Sequence, residues 1–272
     1  MAGFVDFDDQ GHAAKLSLVI WISEIDDRDR YPRIATCVLH LQHSLKYRSP
    51  VMTLIPLTDT SRRPTRFPAM TIAIILLNVI VFALELLGGE AFVQQWSVIP
   101  AEIMAGRSWV TIITAMFMHG GWMHIIGNMV FLHAFGPEVE DAMGRLRYLT
   151  FYILSGIAAS AAQIAVTPLS HVSNLGASGA IAGVMGAFLI TYPRHRIRAL
   201  LVIFVFVRTT VIPASLLIGF WFLIQLFSQI GAVADVQSGG VAYAAHVGGF
   251  VFGAISARFF ERLTADPTWA GE

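Results

Sequence analysis

Six apolar stretches, at residues 69–87, 119–136, 147–166, 177–192, 211–230 and 241–260, set the strongest limit on what this chain can fold into. Each approaches the roughly 20 residues that an α-helix needs to cross a bilayer. Of the 272 residues, 56% are hydrophobic and 13% are charged, whereas soluble domains carry about 25% charged residues. One aqueous core cannot bury so much apolar surface. The expected fold is therefore an all-α, polytopic membrane protein, because lipid-exposed backbone must satisfy its own hydrogen bonds. A shorter apolar piece, "RALLVIFVF" at 198–206, is expected to lie at the interface. The formal net charge is zero, which argues against a nucleic-acid partner. Cys37 is the only cysteine, so an intramolecular disulfide and a cysteine metal cluster are excluded.

Charge orients the six spans. Arg62, Arg63 and Arg66 precede the first, Arg145 and Arg147 follow the second, and Arg194, Arg196 and Arg198 follow the fourth. Arg208 precedes the fifth, and Arg258 and Arg262 close the sixth. The opposite loops, 88–118, 167–176 and 231–240, hold Arg107 as their one basic residue besides histidine. By the positive-inside rule both termini are cytoplasmic. Residues 1–51 are charged and irregular. They are expected to be a dispensable extension, disordered or arising from a start codon assigned too early, since Met52 would itself begin a plausible chain. Residues 52–68 are then a cytoplasmic lead-in, 69–262 the membrane domain and 263–272 a tail.

In this orientation the second, fourth and sixth spans all begin at the outer face. Their first turns read "HGGWMHIIGN", "GASGAIAG" and "VAYAAHVGG". His124 and Asn128, four residues apart, share a helix face. Ser178 opens the fourth span and His246 lies early in the sixth, so His, Asn, Ser and His fall at similar depth. Gly179 and Gly183 in the fourth span, and Gly249 and Gly253 in the sixth, each form a small-xxx-small face that lets helix backbones approach.

By itself Ser178 reads as a small packing residue. Beside His246 it reads as a nucleophile, because a serine hydroxyl needs a base to take its proton. The fourth and sixth spans hold no carboxylate within reach, so a Ser–His dyad is expected rather than a triad. Ser178 also opens a helix, whose N–H groups favour a developing oxyanion; His124 and Asn128 can supply side-chain donors. Other chemistries fail on pattern. Ala180 stands where the nucleophile elbow needs glycine, no H-E-x-x-H zinc motif occurs, and no aspartate lies mid-span. No metal or cofactor is expected.

Taken together, "GASG", "HGGWMHIIGN", "AYAAHVGGFVFG", "FGPEVEDAMGRLRYLTFYILSG" and "IPASLLIGFWFLIQ" resemble the rhomboid family of intramembrane serine proteases, over residues 53–262. The resemblance implies a six-transmembrane-helix rhomboid-like bundle. It makes Ser178 the nucleophile and His246 the base, with His124, Asn128 and the Ser178 backbone N–H as oxyanion hole. It makes His119 an organiser of water or of the first loop. Gly176, Gly179, Gly249 and Gly253 become supporting residues, and Glu140 and Arg145 structural ones. The implied substrates are transmembrane proteins, cut after a small residue such as Ala, and the implied location is a bacterial inner membrane. Substrates are expected to enter laterally between the second and fifth spans, where Trp221 and Phe222 offer bulk, with the loop 231–243 as a mobile cap. Two positions depart from the family pattern. Ala182 stands where some members carry an aromatic residue stacked on the histidine, and "GRSWVT" places Arg107 before Trp109. The alternatives are a non-catalytic rhomboid-like protein that binds membrane clients, or a six-span transporter. No oligomeric state is implied.

Overall fold

The computed structural model describes residues 3–6, 15–18, 52–61, 64–203, 206–232 and 242–261. Among them, six helices of 14 residues or more fall on the six apolar stretches. The helices, in order, are α1 (Ala69–Trp96), the short α2 (Pro100–Met104) and α3 (Thr111–Thr114), α4 (Trp122–Met143), α5 (Arg145–Val166), α6 (Ser178–Thr191), α7 (Ala214–Ala232) and α8 (Tyr243–Phe260). Two of them, α1 and α5, are long and apolar enough to cross a membrane by length and composition. The helix α6 is short, and α8 gives up apolar bulk to Gly248, Gly249 and Gly253.

The helix α1 shows how these faces are sorted. Thr71, Ile74, Asn78, Phe82 and Glu85 recur every three or four residues on its buried side, while Leu76, Ile80, Leu84 and Leu87 face outward. That is the pattern of a helix with one side on a core and the other in lipid. Gly89, at φ 62, breaks the helical run near the expected end of the first span. At its other end, Glu140 of α4 accepts hydrogen bonds from the Met70 and Thr71 N–H groups at 3.0 and 2.7 Å, and from the Thr71 hydroxyl at 2.8 Å. A carboxylate here satisfies donors with no intrahelical partner and meets the positive end of the helix dipole.

At the centre lies α6, buried from Gly179 to Phe188. It packs on α8 most extensively, and also on α5 and α4. The backbones of α6 and α8 touch. A Cβ on Gly249 would overlap the Gly179 carbonyl, one on Gly253 the Gly183 carbonyl, and one on Gly186 the Phe250 carbonyl.

The expectation of an all-α chain is corrected by a three-stranded antiparallel sheet. The strands β1 (Gly3–Asp6) and β2 (Lys15–Leu18) pair with each other, and β3 (Met52–Asp59), β4 (Arg196–Ile203) and β5 (Phe206–Pro213) form the sheet, in that order. The piece read as interfacial thus belongs to a hairpin, Arg196 pairing with Pro213 and Ile203 with Phe206. The reason is local composition, for "LLVIFVFVRTTVI" is rich in β-branched and aromatic residues. The lead-in supplies the third strand, with Thr53 opposite Val202 and Asp59 opposite Ile197. Buried Asp59 pairs with His195, just beyond the end of α6, and accepts the Ser61 N–H at 2.8 Å. The helix on the fifth apolar stretch, α7, consequently begins at Ala214 rather than 211.

Candidate active site

The chain turns into α6 through Gly176, whose N–H donates to the Ala115 carbonyl at 2.9 Å. Val98 and Asn174 exchange both backbone hydrogen bonds just before it, at 2.9 and 2.7 Å, tying the first loop to this segment. Gly176 has φ +132, a backbone that L side chains rarely adopt. A Cβ there would also lie 2.9 Å from the His124 ring and 3.5 Å from the Ser178 hydroxyl. Glycine therefore keeps open a small space with His124 on one side and Ser178 on the other.

Ser178 is half-buried in the first turn of α6. Its Oγ lies 2.7 Å from Nε2 of His246, a residue 3% exposed on α8. The glycine contacts between α6 and α8 permit this approach, since bulkier residues there would separate the two helices. Nδ1 of His246 lies 2.7 Å from Oε1 of Gln225 on α7.

His124, in the first turn of α4, accepts the Gly120 N–H on Nδ1 at 3.3 Å. The accepting nitrogen carries no proton in the neutral ring, so the proton is on Nε2, the atom that borders the Gly176 space. One turn further, Asn128 is buried, and its Nδ2 has no hydrogen-bond partner among the described residues. His119 is buried beside His124, the rings 5.1 Å apart and edge-on. Neither His119 ring nitrogen has a hydrogen-bond partner among the described residues. Its backbone N–H donates to both oxygens of Glu85, at 3.0 and 3.1 Å. A cavity of about 40 Å³ adjoins Ser178, lined among others by Ala159, Ser160, Gln163 and Ala245.

The residues expected to supply the gate, Trp221 and Phe222, both contact α8. Trp221 is 1% exposed and turned inward, its ring 5.9 Å from that of His246 and 6.3 Å from that of Phe250. Phe222 stacks on Phe250 at 4.2 Å. The cap expected at 231–243 falls mostly on residues 233–241, outside the described residues.

Gln225 escaped the sequence reading; Glu85, expected to reach the interface from the outer end of the first span, is instead buried against His119. A signal for Gln225 existed, since Ala214, Leu217, Ile218, Trp221 and Gln225 form the inward stripe of α7, and an inward polar residue in such a helix marks a site. Arg107, out of family order, forms a two-bond pair with Glu102 at 2.6 and 2.8 Å. The guanidinium holds that carboxyl below the usual carboxylate range.

A bundle with paired serine and histidine at one end defines a class, and comparison with known proteins names it. Residues 106–262, more than half of the chain, match the Rhomboid domain family, and the chain belongs to the rhomboid family. It is 35% identical over 86 residues to the putative rhomboid protease YdcA of Bacillus subtilis, covering 32% of this chain and 43% of that one. It is 28% identical over 188 residues to the mitochondrial Rhomboid protein 1 of Saccharomyces cerevisiae, covering 67% and 51%. It is 28% identical over 197 residues to the rhomboid protease GluP of Bacillus subtilis, covering 70% and 34%. The matches thus span about half or less of these relatives' length. Membership makes this an integral membrane protein of a family of intramembrane proteases. The relatives include mitochondrial and chloroplastic proteins, so membership does not select a bacterial inner membrane. An inactive member from Arabidopsis thaliana also matches, 30% identical over 145 residues, covering 48% of this chain and 39% of that one.

Proposed function

We infer that this chain is a six-span serine endopeptidase that hydrolyses peptide bonds in or near transmembrane segments of other membrane proteins. The observation that carries this reading is the 2.7 Å approach of Ser178 Oγ to His246 Nε2 across two packed helices. In the reaction, Nε2 takes the hydroxyl proton as Oγ attacks the scissile carbonyl carbon. The imidazolium then protonates the leaving amide nitrogen as the C–N bond breaks. Water, deprotonated by His246 Nε2, then attacks the acyl carbon, and the imidazolium returns the proton to Ser178 Oγ as the acyl–oxygen bond breaks. The oxyanion lies in the space that Gly176 leaves open, facing His124 Nε2–H, the Asn128 amide and the start of α6.

The catalytic unit is residues 69–262, entered through 52–68, with both termini on the arginine-rich side. At 1.5 Å per residue, the 14-residue α6 is about 21 Å long against a hydrocarbon core of about 30 Å. Ser178 therefore sits below the outer surface, where a water-filled recess can reach it. The 40 Å³ cavity beside it supports a small residue before the cut. Lateral entry between α4 and α7 is supported by how little these two helices touch among the described residues. A substrate helix must unwind there first, so Gly or Pro near the cut favours cleavage.

The test is cleavage of a reference transmembrane substrate by the purified protein in liposomes, with labelling by a serine-reactive fluorophosphonate. Site-specific label on Ser178 and a cut within or beside the substrate's apolar segment are expected. An unlabelled chain that binds the substrate intact would make it a client-binding protein instead. Asn128→Ala should lower kcat about 10–10³-fold with KM much less affected, because its bond to the oxyanion strengthens in the transition state. A change confined to KM would make Asn128 a binding residue.

A further inference from the structure

We propose that Gln225 is a positioning residue for His246, holding the imidazole in the one tautomer that can accept the serine proton. The inference rests on the protease reading above and adds a third member, carried by a different helix, to the Ser178–His246 pair.

The argument starts from proton counting. A neutral imidazole has one N–H and one bare nitrogen. To take a proton from Ser178, Nε2 must be bare, so the ring proton must sit on Nδ1. A free imidazole populates both forms and rotates about two torsions. Something must therefore hold Nδ1–H, and in well-known triads a carboxylate does so. Here that place is filled by the Gln225 amide oxygen, 2.7 Å from Nδ1. An amide oxygen accepts and cannot donate, so this contact requires the proton on Nδ1. Gln225 is 0% exposed and His246 3%; no solvent competes for the bond. The Gln225 Nε2 has no hydrogen-bond partner among the described residues. The oxygen contact to His246 is thus what sets the direction of this side chain.

The ring plane is held by the same helix. Trp221 precedes Gln225 by four residues, so both project from one face of α7, and its ring lies against His246 at 5.9 Å, tilted by 41°. Ala182 leaves α6 without an aromatic for that purpose. The helix α7 thus supplies both restraints: a ring to pack on and an acceptor for Nδ1. An amide carries no full charge, so it adds no buried carboxylate to the apolar interior. It also follows that α7 must stay seated on α8 at Gln225 during the chemical step. A gate between α4 and α7 then works by side-chain motion or by movement of the end of α7 beyond Gln225.

The experiment compares wild type, Gln225→Met and Gln225→Glu, using 15N-histidine NMR for the tautomer and liposome kinetics for turnover. His246 signals are assigned by their loss in His246→Gln. Wild type should show the proton on Nδ1. Gln225→Met, similar in volume but without the acceptor, should show a mixture and lose kcat by about 10²-fold, the low end of a general base's contribution, with KM changed less than about threefold. Gln225→Glu restores an acceptor oxygen and should recover most of that loss. Wild type with the proton on Nε2, or full kcat in Gln225→Met, overturns the proposal. So does equal loss in both variants with lowered melting temperature, which marks a purely structural residue. If wild type fails to cleave, the protease reading falls while the NMR comparison still decides what Gln225 does to His246.

Discussion

Ser178→Ala and His246→Ala are each expected to reduce cleavage of a transmembrane substrate by about 10⁴–10⁶-fold, the range over which residues acting as one nucleophilic unit lose activity. The two should not add. Either change removes the single proton transfer at the 2.7 Å contact, so the double variant should be no slower than the worse single one. Ser178→Ala removes one half-buried oxygen and leaves α6 intact, so its melting temperature should match wild type. His246→Ala also empties the place against Trp221 and should melt lower. Quantitative cleavage assays on the three variants decide the matter. Turnover within a few-fold of wild type in either single variant would remove the dyad.

Gly249→Val is the second large effect. Gly249 lies three residues after His246 on α8, and a Cβ there would overlap the carbonyl oxygen of Gly179, the residue next to Ser178. Backbone cannot yield as a side-chain tip can, so the helices must separate just beneath the dyad. Overpacking of this kind costs about 1–3 kcal/mol. Displacement of a catalytic group by about 1 Å can cost 10²-fold in rate, so cleavage should fall at least that much, with a lower melting temperature. Gly219→Ala on α7, where a Cβ meets nothing within 4 Å, is the neutral control. A Gly249→Val protein as active and as stable as that control would show that the close contact of α6 and α8 does not set the dyad distance.

Much of this molecule is written locally. Apolar runs are properties of short segments, so six helices of 14 residues or more fall where hydropathy puts them. The depth of Ser178 and His246 follows from counting residues along parallel helices. The glycine faces follow from a four-residue spacing, and the structure puts them where two backbones meet. The motif residues His124, Asn128, Ser178 and His246 could be singled out because polar groups are scarce in such segments.

The sheet, the partners and the rotations were not legible in this way. Whether "MTLIPLTD" pairs with a segment some 140 residues later depends on β4 being within reach, and no periodicity in either segment records that. Glu140 could be suspected as structural, yet its role as a cap for α1 appears only when α4 stands beside Met70 and Thr71. Hydropathy does not say which way a helix is turned. About its own axis α7 is oriented by packing on α8, and that turns Trp221 and Gln225 onto His246. The amino-acid sequence alone determined the membrane class, the helix segments and the candidate polar residues His124, Asn128, Ser178 and His246, since length, polarity and spacing along one helix suffice for these. Only the tertiary structure decided which of those residues touch, because a contact between helices depends on their rotation and separation, set by side-chain volumes far apart in the chain.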